Sequence, residues 1–228
     1  MGQFLHFLDL KNDLKCLNLC ATKTLHSLFV LQLMTNDNKP NPRNMDIEQL
    51  ERLPEDSIYG INSPKMYYIF KKSLLSNKPT AELSDREKKE IRIADTEITF
   101  ERIRRDIAYD FPSRLSSLYL VENSDLGRSI LSGMFAHSSV EPYVVEVDII
   151  NQFALCRCDS AWVDKYNEDP QEAFVTNYWQ GISFDDHYPR WEFLLEGSVA
   201  MTNADEYSHI QRHTQIFFQN AYQQFLDR

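Results

Sequence analysis

Glycine is scarce in this chain, with six in 228 residues. No Gly-x-Gly-x-x-Gly spacing follows any apolar run, which excludes the phosphate-cradling loop of a Rossmann unit. Cysteine is scarce as well. Cys16, Cys20, Cys156 and Cys158 are too few and too unevenly placed for a disulfide scaffold in a chain of this size, so reduced thiols are expected. Positive charge is the minority: 24 Lys and Arg against 34 Asp and Glu give a net charge of −10 and a pI near 5.1. A broad, non-specific grip on nucleic acid is therefore not expected, because each phosphate contact wants its own cation. The longest apolar run, Leu25 to Met34, is broken by His26, Ser27 and Gln32 and falls short of the roughly 20 residues a spanning helix needs. It also lacks the flanks and cleavage site of a secretion signal. No membrane partner is expected, and the compartment is read as the cytoplasm or, after secretion, a host cell.

Familiar catalytic and metal-binding signatures are missing too. No Gly-x-Ser-x-Gly elbow occurs. His209 and His213 have helical ligand spacing, but Ile210 stands where a metalloprotease has its glutamate. Cys156 and Cys158 share a strand face without further ligands. No metal is expected. Arg102, Arg104 and Arg105 read as one solvated helix face, and Trp162, Trp179 and Trp191 as core anchors, given the acidic charge around them.

Strand and helix signals alternate irregularly, which predicts an α+β fold. Residues 1–44 read as an N-terminal extension and linker, helical or disordered: a Leu-rich stretch, then the proline-broken Thr35 to Asn44. Residues 45–228 read as the domain. Within it Ser57 to Ile61 reads as a first strand, Pro64 to Leu75 as a helix, and Ser84-Asp-Arg-Glu87 as a capping box opening a charged helix through Ile107. Strands are expected at Arg114 to Leu120, Tyr143 to Ile149, Phe153 to Cys158 and Phe193 to Met201, and helices at Asp125 to Phe135, Asp169 to Trp179 and Glu206 to Phe225.

Three motifs stand in order: Phe111-Pro-Ser-Arg-Leu-Ser-Ser-Leu-Tyr119, Tyr143-Val-Val-Glu-Val-Asp-Ile149, and Pro189-Arg-Trp-Glu-Phe-Leu-Leu-Glu-Gly-Ser-Val-Ala-Met201. Together they resemble the ADP-ribosyltransferase superfamily, in its bacterial branch of domains with a Pro-Ser-Arg and Ser-Ser signature. The resemblance covers roughly residues 55 to 202. It implies a split two-sheet domain with flanking helices, NAD as substrate, and transfer of ADP-ribose to a macromolecular acceptor, a glycosyltransferase chemistry found in toxins and effectors. Glu192 matches the catalytic glutamate that precedes three apolar residues and a glycine. Ser116 matches the serine that holds it, being the inward choice over Ser117 by strand alternation. Arg114, Ser117, Tyr119, Tyr59 and Asn62 are the candidate cofactor contacts. Arg114 could equally be a surface arginine after a turn, and Tyr119 a core tyrosine. The loop before Glu192 would recognise the acceptor through Phe184, Asp185, His187 and Tyr188. Arg190 stands where arginine-modifying members have an acidic residue or Gln, which disfavours arginine as acceptor. Glu196 reads as part of a solvent-facing turn. One departure stands out: many members grip NAD with a His or Arg on the first strand, whereas Tyr59-Gly60-Ile61-Asn62 offers none. The alternative is a catalytically inactive module with the same fold that binds a protein partner.

Overall fold

The computed structural model describes residues 2–35, 42–52, 63–135 and 142–226. Its five strands, β1 (Phe4–Asp9), β2 (Thr24–His26), β3 (Leu118–Glu122), β4 (Pro142–Asp159) and β5 (Trp191–Met201), form one antiparallel sheet in the order β2-β5-β3-β1-β4. An additional β4–β5 pairing closes the circuit β5-β3-β1-β4-β5. β4 can serve two partners because it is long. Its first residues pair with β1 (Val145 opposite His6), and from Val147 on it pairs with β5, with Cys158 opposite Glu192 and Asp159 opposite Trp191 at the far end. The β4–β5 register shifts twice, between Ile149 and Asn151 and between Gln152 and Ala154, as expected of bulges that bend a strand. Gly197 lies at this irregularity, where a Cβ would stand 2.1 Å from the Asn151 carbonyl oxygen.

Alternation sorts the strand side chains to two sides. Phe4, Leu8, Leu118, Leu120, Val145, Val147, Leu195 and Val199 form an inner core. It is closed by Cys16 and Leu19 from α1 (Asp13–Thr22) and by Ile210 from α9 (Ala204–Leu226). The outer side is covered by helices. Leu5 and Val121 meet α6 (Asp125–Phe135) through Ile130 and Leu131. Leu194, Cys156 and Cys158 meet α5 (Asp85–Ile107) and α8 (Glu172–Trp179) through Phe100, Ile103, Val175, Tyr178 and Trp179. A further cluster joins α2 (Leu28–Thr35), α3 (Ile47–Glu51), α4 (Pro64–Leu75) and α5. α7 (Ala161–Glu168) follows β4 directly.

The expectation that residues 1–44 stand ahead of the domain is corrected. β1 lies between β3 and β4, and β2 extends β5. Phe4-Leu-His-Phe-Leu is buried on both faces, so it lacks the polar alternation of a half-exposed strand and merges with the Leu-rich helical stretch after it. Of the two readings left open for this stretch, helical or disordered, its described residues include the helices α1 and α2 beside β1 and β2. The proposed first strand at Ser57 to Ile61 lies outside the described residues. Arg114 to Ser117 form a turn, with β3 starting at Leu118. The two strands expected at Tyr143 to Ile149 and Phe153 to Cys158 are one bent strand. The capping box at Ser84 forms as expected, with both the Ser84 and Glu87 side chains engaged.

Candidate functional site

The turn between α5 and β3 is held by its own serines. Ser113 Oγ accepts from the Leu115 amide at 3.2 Å, and Ser117 Oγ donates to the Ser113 carbonyl at 2.7 Å. This turn delivers Arg114 and Ser116 into the layer between β5 and α5, where two ionic clusters lie side by side.

The first cluster centres on Arg114. Its guanidinium forks onto Glu97 of α5, with Nε to Oε2 at 2.9 Å and Nη2 to Oε1 at 3.1 Å, and its Nη1 donates to Glu192 Oε1 at 2.6 Å. The same Glu192 oxygen accepts from the Tyr178 hydroxyl at 2.6 Å, and Tyr178 also accepts from Arg114 Nη1. Lys65 of α4 reaches Glu97 at 2.6 Å. Two cations thus face two carboxylates. The rings of Phe100, Tyr119 and Tyr178 surround the guanidinium carbon at 5.0 to 5.4 Å, adding cation–π attraction. Arg114, Glu97 and Glu192 are at most 2% exposed. Burial disfavours charge on Glu97, but Arg114 and Lys65 outweigh it and hold the carboxyl down at about 2. Burial likewise opposes the charge of Arg114, yet Glu97, the two tyrosines and Glu192 hold its pKa well above the ordinary value. Burial pushes the Tyr119 and Tyr178 hydroxyls well up.

The second cluster centres on Glu196, four residues along β5. Ser116 Oγ donates to its Oε1 at 2.8 Å, the Ser113 amide reaches the same oxygen at 3.2 Å, and Arg43 pairs with Oε2. Ser113 Oγ donates to Glu101 at 2.7 Å, and Glu101 is bound in turn by Arg104 and Arg105. Glu196, Glu101 and Arg104 are fully buried. This corrects two readings: Glu196 does not lie in a solvent-facing turn, and Arg104 does not belong to a solvated face, although Arg102 is exposed.

A family model described as a protein of unknown function, DUF2441, matches residues 23–211. The chain belongs to the DUF2441 family. No curated protein matches it. The matched span of DUF2441 contains every residue of the two clusters.

In this DUF2441 member, then, Glu192 and Arg114 are in direct contact, and Tyr119 stands beside them, its hydroxyl donating to the Arg114 carbonyl at 2.9 Å. Ser116 belongs to the neighbouring cluster and touches Glu196, not Glu192. Ser117 is turned back onto Ser113. Tyr59 and Asn62 lie outside the described residues. Gln180 ends α8, and Gly181 takes the left-handed φ of +67° that favours glycine there. The loop that follows carries Phe184, Asp185, His187 and Tyr188 on the surface, Tyr188 being 75% exposed. It is stapled by buried Asp159, whose carboxylate accepts from the amides of Ala161 and Phe184 at 2.9 Å and of Arg190 at 3.2 Å. Sequence reasoning missed Glu97, Glu101, Tyr178, Lys65 and Asp159. For α5 a signal existed: Glu97, Glu101 and Arg104 recur at helical spacing beside Phe100 and Ile103, marking a charged stripe that faces inward.

Cys156 and Cys158 have their sulfurs 3.8 Å apart beside the Arg114 cluster. The neighbouring thiol and burial both push Cys158 up, which leaves it an inert packing thiol. Among the described residues no cluster of His, Cys, Asp or Glu has the makings of a metal site, and no helix is long and apolar enough to cross a membrane.

Proposed function

We propose that this chain is an ADP-ribosyltransferase-like enzyme that cleaves NAD and transfers ADP-ribose to a macromolecular acceptor, with Glu192 as the charge-stabilising carboxylate. The observation that carries the reading is the convergence on Glu192. It is buried at the second position of β5, next to an exposed loop, and one of its oxygens is fixed by both Arg114 and Tyr178. Cleavage breaks the bond between ribose C1′ and the pyridinium nitrogen, the electron pair leaves with nicotinamide, and positive charge builds on the sugar as in glycoside cleavage. A carboxylate fixed in advance lowers the barrier because no reorientation is needed as that charge appears, an effect of about 3 to 4 kcal/mol in comparable sites. An acceptor nucleophile then attacks C1′. In this reading Arg114 is a positioning residue, since its donors are turned to Glu97, Glu192 and Tyr178 and not to a diphosphate. Ser116 supports the second carboxylate, Glu196. The split two-sheet architecture is the finer fold assignment that goes with the proposal. The Phe184 to Tyr188 loop is the acceptor-facing surface.

A second reading is favoured by one observation: Glu192 is only 2% exposed and its partner Arg114 is committed to protein groups. A domain that has turned its carboxylates inward in this way is an inactive interaction module using the same loop to hold a protein partner. Nicotinamide release from NAD, measured with and without cell lysate as acceptor, separates the two. Release that is lost in Glu192→Gln supports the enzyme. No release together with no NAD binding by calorimetry supports the module.

A further inference from the structure

The loop between α8 and β5 carries a tip whose side chains the rest of the chain leaves uncommitted. Its base is fixed. Trp162 of α7 stacks on Phe174 with ring centroids 5.6 Å apart and meets Phe184 edge-on at 4.9 Å. The Trp162 Nε1 donates to the Ile182 carbonyl at 2.8 Å, and the Asp159 carboxylate holds the amides of Phe184 and Arg190. Between these anchors the chain bends at residues 186–188, and the Tyr188 amide donates to the Asp185 carbonyl at 3.2 Å. That bond gathers Asp185, Asp186 and Tyr188 into one bend directly after Phe184. Phe184 is 47% exposed and Tyr188 75%.

The other acidic residues around the loop are matched by cations of the chain: Asp164 by Arg190, Glu168 by Lys165 and Glu172 by Arg102. Asp185 and Asp186 are not. Asp185 Oδ1 accepts from the His187 amide at 2.8 Å, and Asp186 Oδ1 from the Ser183 hydroxyl. Among the described residues neither carboxylate meets a Lys or Arg, and each keeps its second oxygen for a donor from outside. Two exposed rings thus bracket two unmatched negative charges, on a loop whose shape is set before anything binds, so docking there costs little loop ordering. Such a surface repels the phosphates of a nucleic acid and attracts a cation. A guanidinium suits it better than an ammonium, because its plane stacks on an exposed ring while its fork meets a carboxylate, whereas Lys brings a point charge.

We infer that the Phe184 to Tyr188 tip docks an arginine-bearing segment of a protein partner, with Asp185 and Asp186 accepting from the guanidinium and Tyr188 stacking on it. The inference rests on the assignment of this loop as the partner-facing surface, which the enzyme and module readings share. The arginine is an anchor; under the enzyme reading the nucleophile that receives ADP-ribose is a separate group of the partner.

The test follows the backbone amides of the full chain by NMR at low ionic strength, where exposed charges are least screened, while hexaarginine, hexalysine and hexaglutamate peptides are titrated in separate arms. Saturable shifts at residues 184–188 with hexaarginine, weaker binding of hexalysine and no response to hexaglutamate are the expected result. The double variant Asp185→Asn with Asp186→Asn weakens hexaarginine binding about tenfold, and Tyr188→Ala about threefold. General attraction to a chain of net charge −10 would survive the loss of two among its 34 carboxylates, so the double variant separates docking at the tip from bulk charge. The inference is overturned if the tip amides do not move, if hexalysine binds as tightly as hexaarginine, or if the double variant binds like the parent chain. Binding is read without NAD: a chain that binds the peptide and releases no nicotinamide keeps this inference under the module reading, and one that releases nicotinamide without binding overturns this inference alone.

Discussion

Acidification should weaken this fold well before its carboxylates titrate, because of His6. The imidazole is enclosed in the inner core, and burial together with the charge of Lys15 lowers it from 6.5 to about 4 against a smaller opposing pull from the Tyr119 carbonyl. Above pH 6.5 the folded and unfolded states both hold it neutral, and it contributes no pH dependence. As pH falls below 6.5 the unfolded chain takes up a proton that the folded chain refuses, so stability falls by up to about 1.4 kcal/mol per pH unit. The loss reaches about 2 kcal/mol at pH 5 and levels off near 3 kcal/mol around pH 4. Glu97, held down at about 2 by its cations, loses its stabilisation only below its ordinary 4.5, so the two windows barely overlap. Half-buried His26 is lowered by burial and acts in the same direction. Glu206 is raised by burial and pulls weakly the other way. Comparing the parent chain with His6→Leu cancels both. Urea unfolding at pH 7 and pH 5 gives the answer: the parent should lose about 2 kcal/mol more than the variant. Equal losses would mean that His6 titrates normally and is not enclosed as described.

Two further perturbations probe the clusters and the bend. Arg114→Met leaves Glu192 buried without a cation and Glu97 with Lys65 alone, and should cost roughly 3 to 5 kcal/mol; the double variant with Glu192→Gln should cost less than the sum of the singles, and a cost of Arg114→Met under about 1 kcal/mol in urea unfolding would refute the pairing. Gly197→Ala sets a methyl 2.1 Å from a backbone oxygen of Asn151, so a loss of roughly 2 kcal/mol is expected; unchanged thermal stability would contradict the close approach of β4 to β5.

The legible parts of the chain are those where one local rule decides. Pro64 to Leu75 has a serine N-cap and a proline in its first turn, and Ser84 and Glu87 form a reciprocal cap; both helices begin where those residues say. β5 was readable as a bounded apolar run with Glu192 at its margin, whereas Arg114, read as the start of a strand, lies in the turn before β3. Other features depend on the distant chain. β1 is buried on both faces, so its pattern carries no period to separate it from a helix. Glu196 beside glycine resembles a turn until Ser116, Ser113 and Arg43 are brought around it, and Arg104 resembles a surface charge until Glu101 and the carbonyls of Tyr109 and Phe111 receive it. Buried charge is legible only once its partners are known, and these partners are drawn from elements far apart in sequence.

The most direct test of the central claim is nicotinamide release from NAD by the purified chain beside Glu192→Gln, with thermal melting of both to establish that the variant is folded. The account predicts release by the parent chain and a drop of about a hundredfold or more in the variant. A folded parent chain that neither releases nicotinamide nor binds NAD would contradict it.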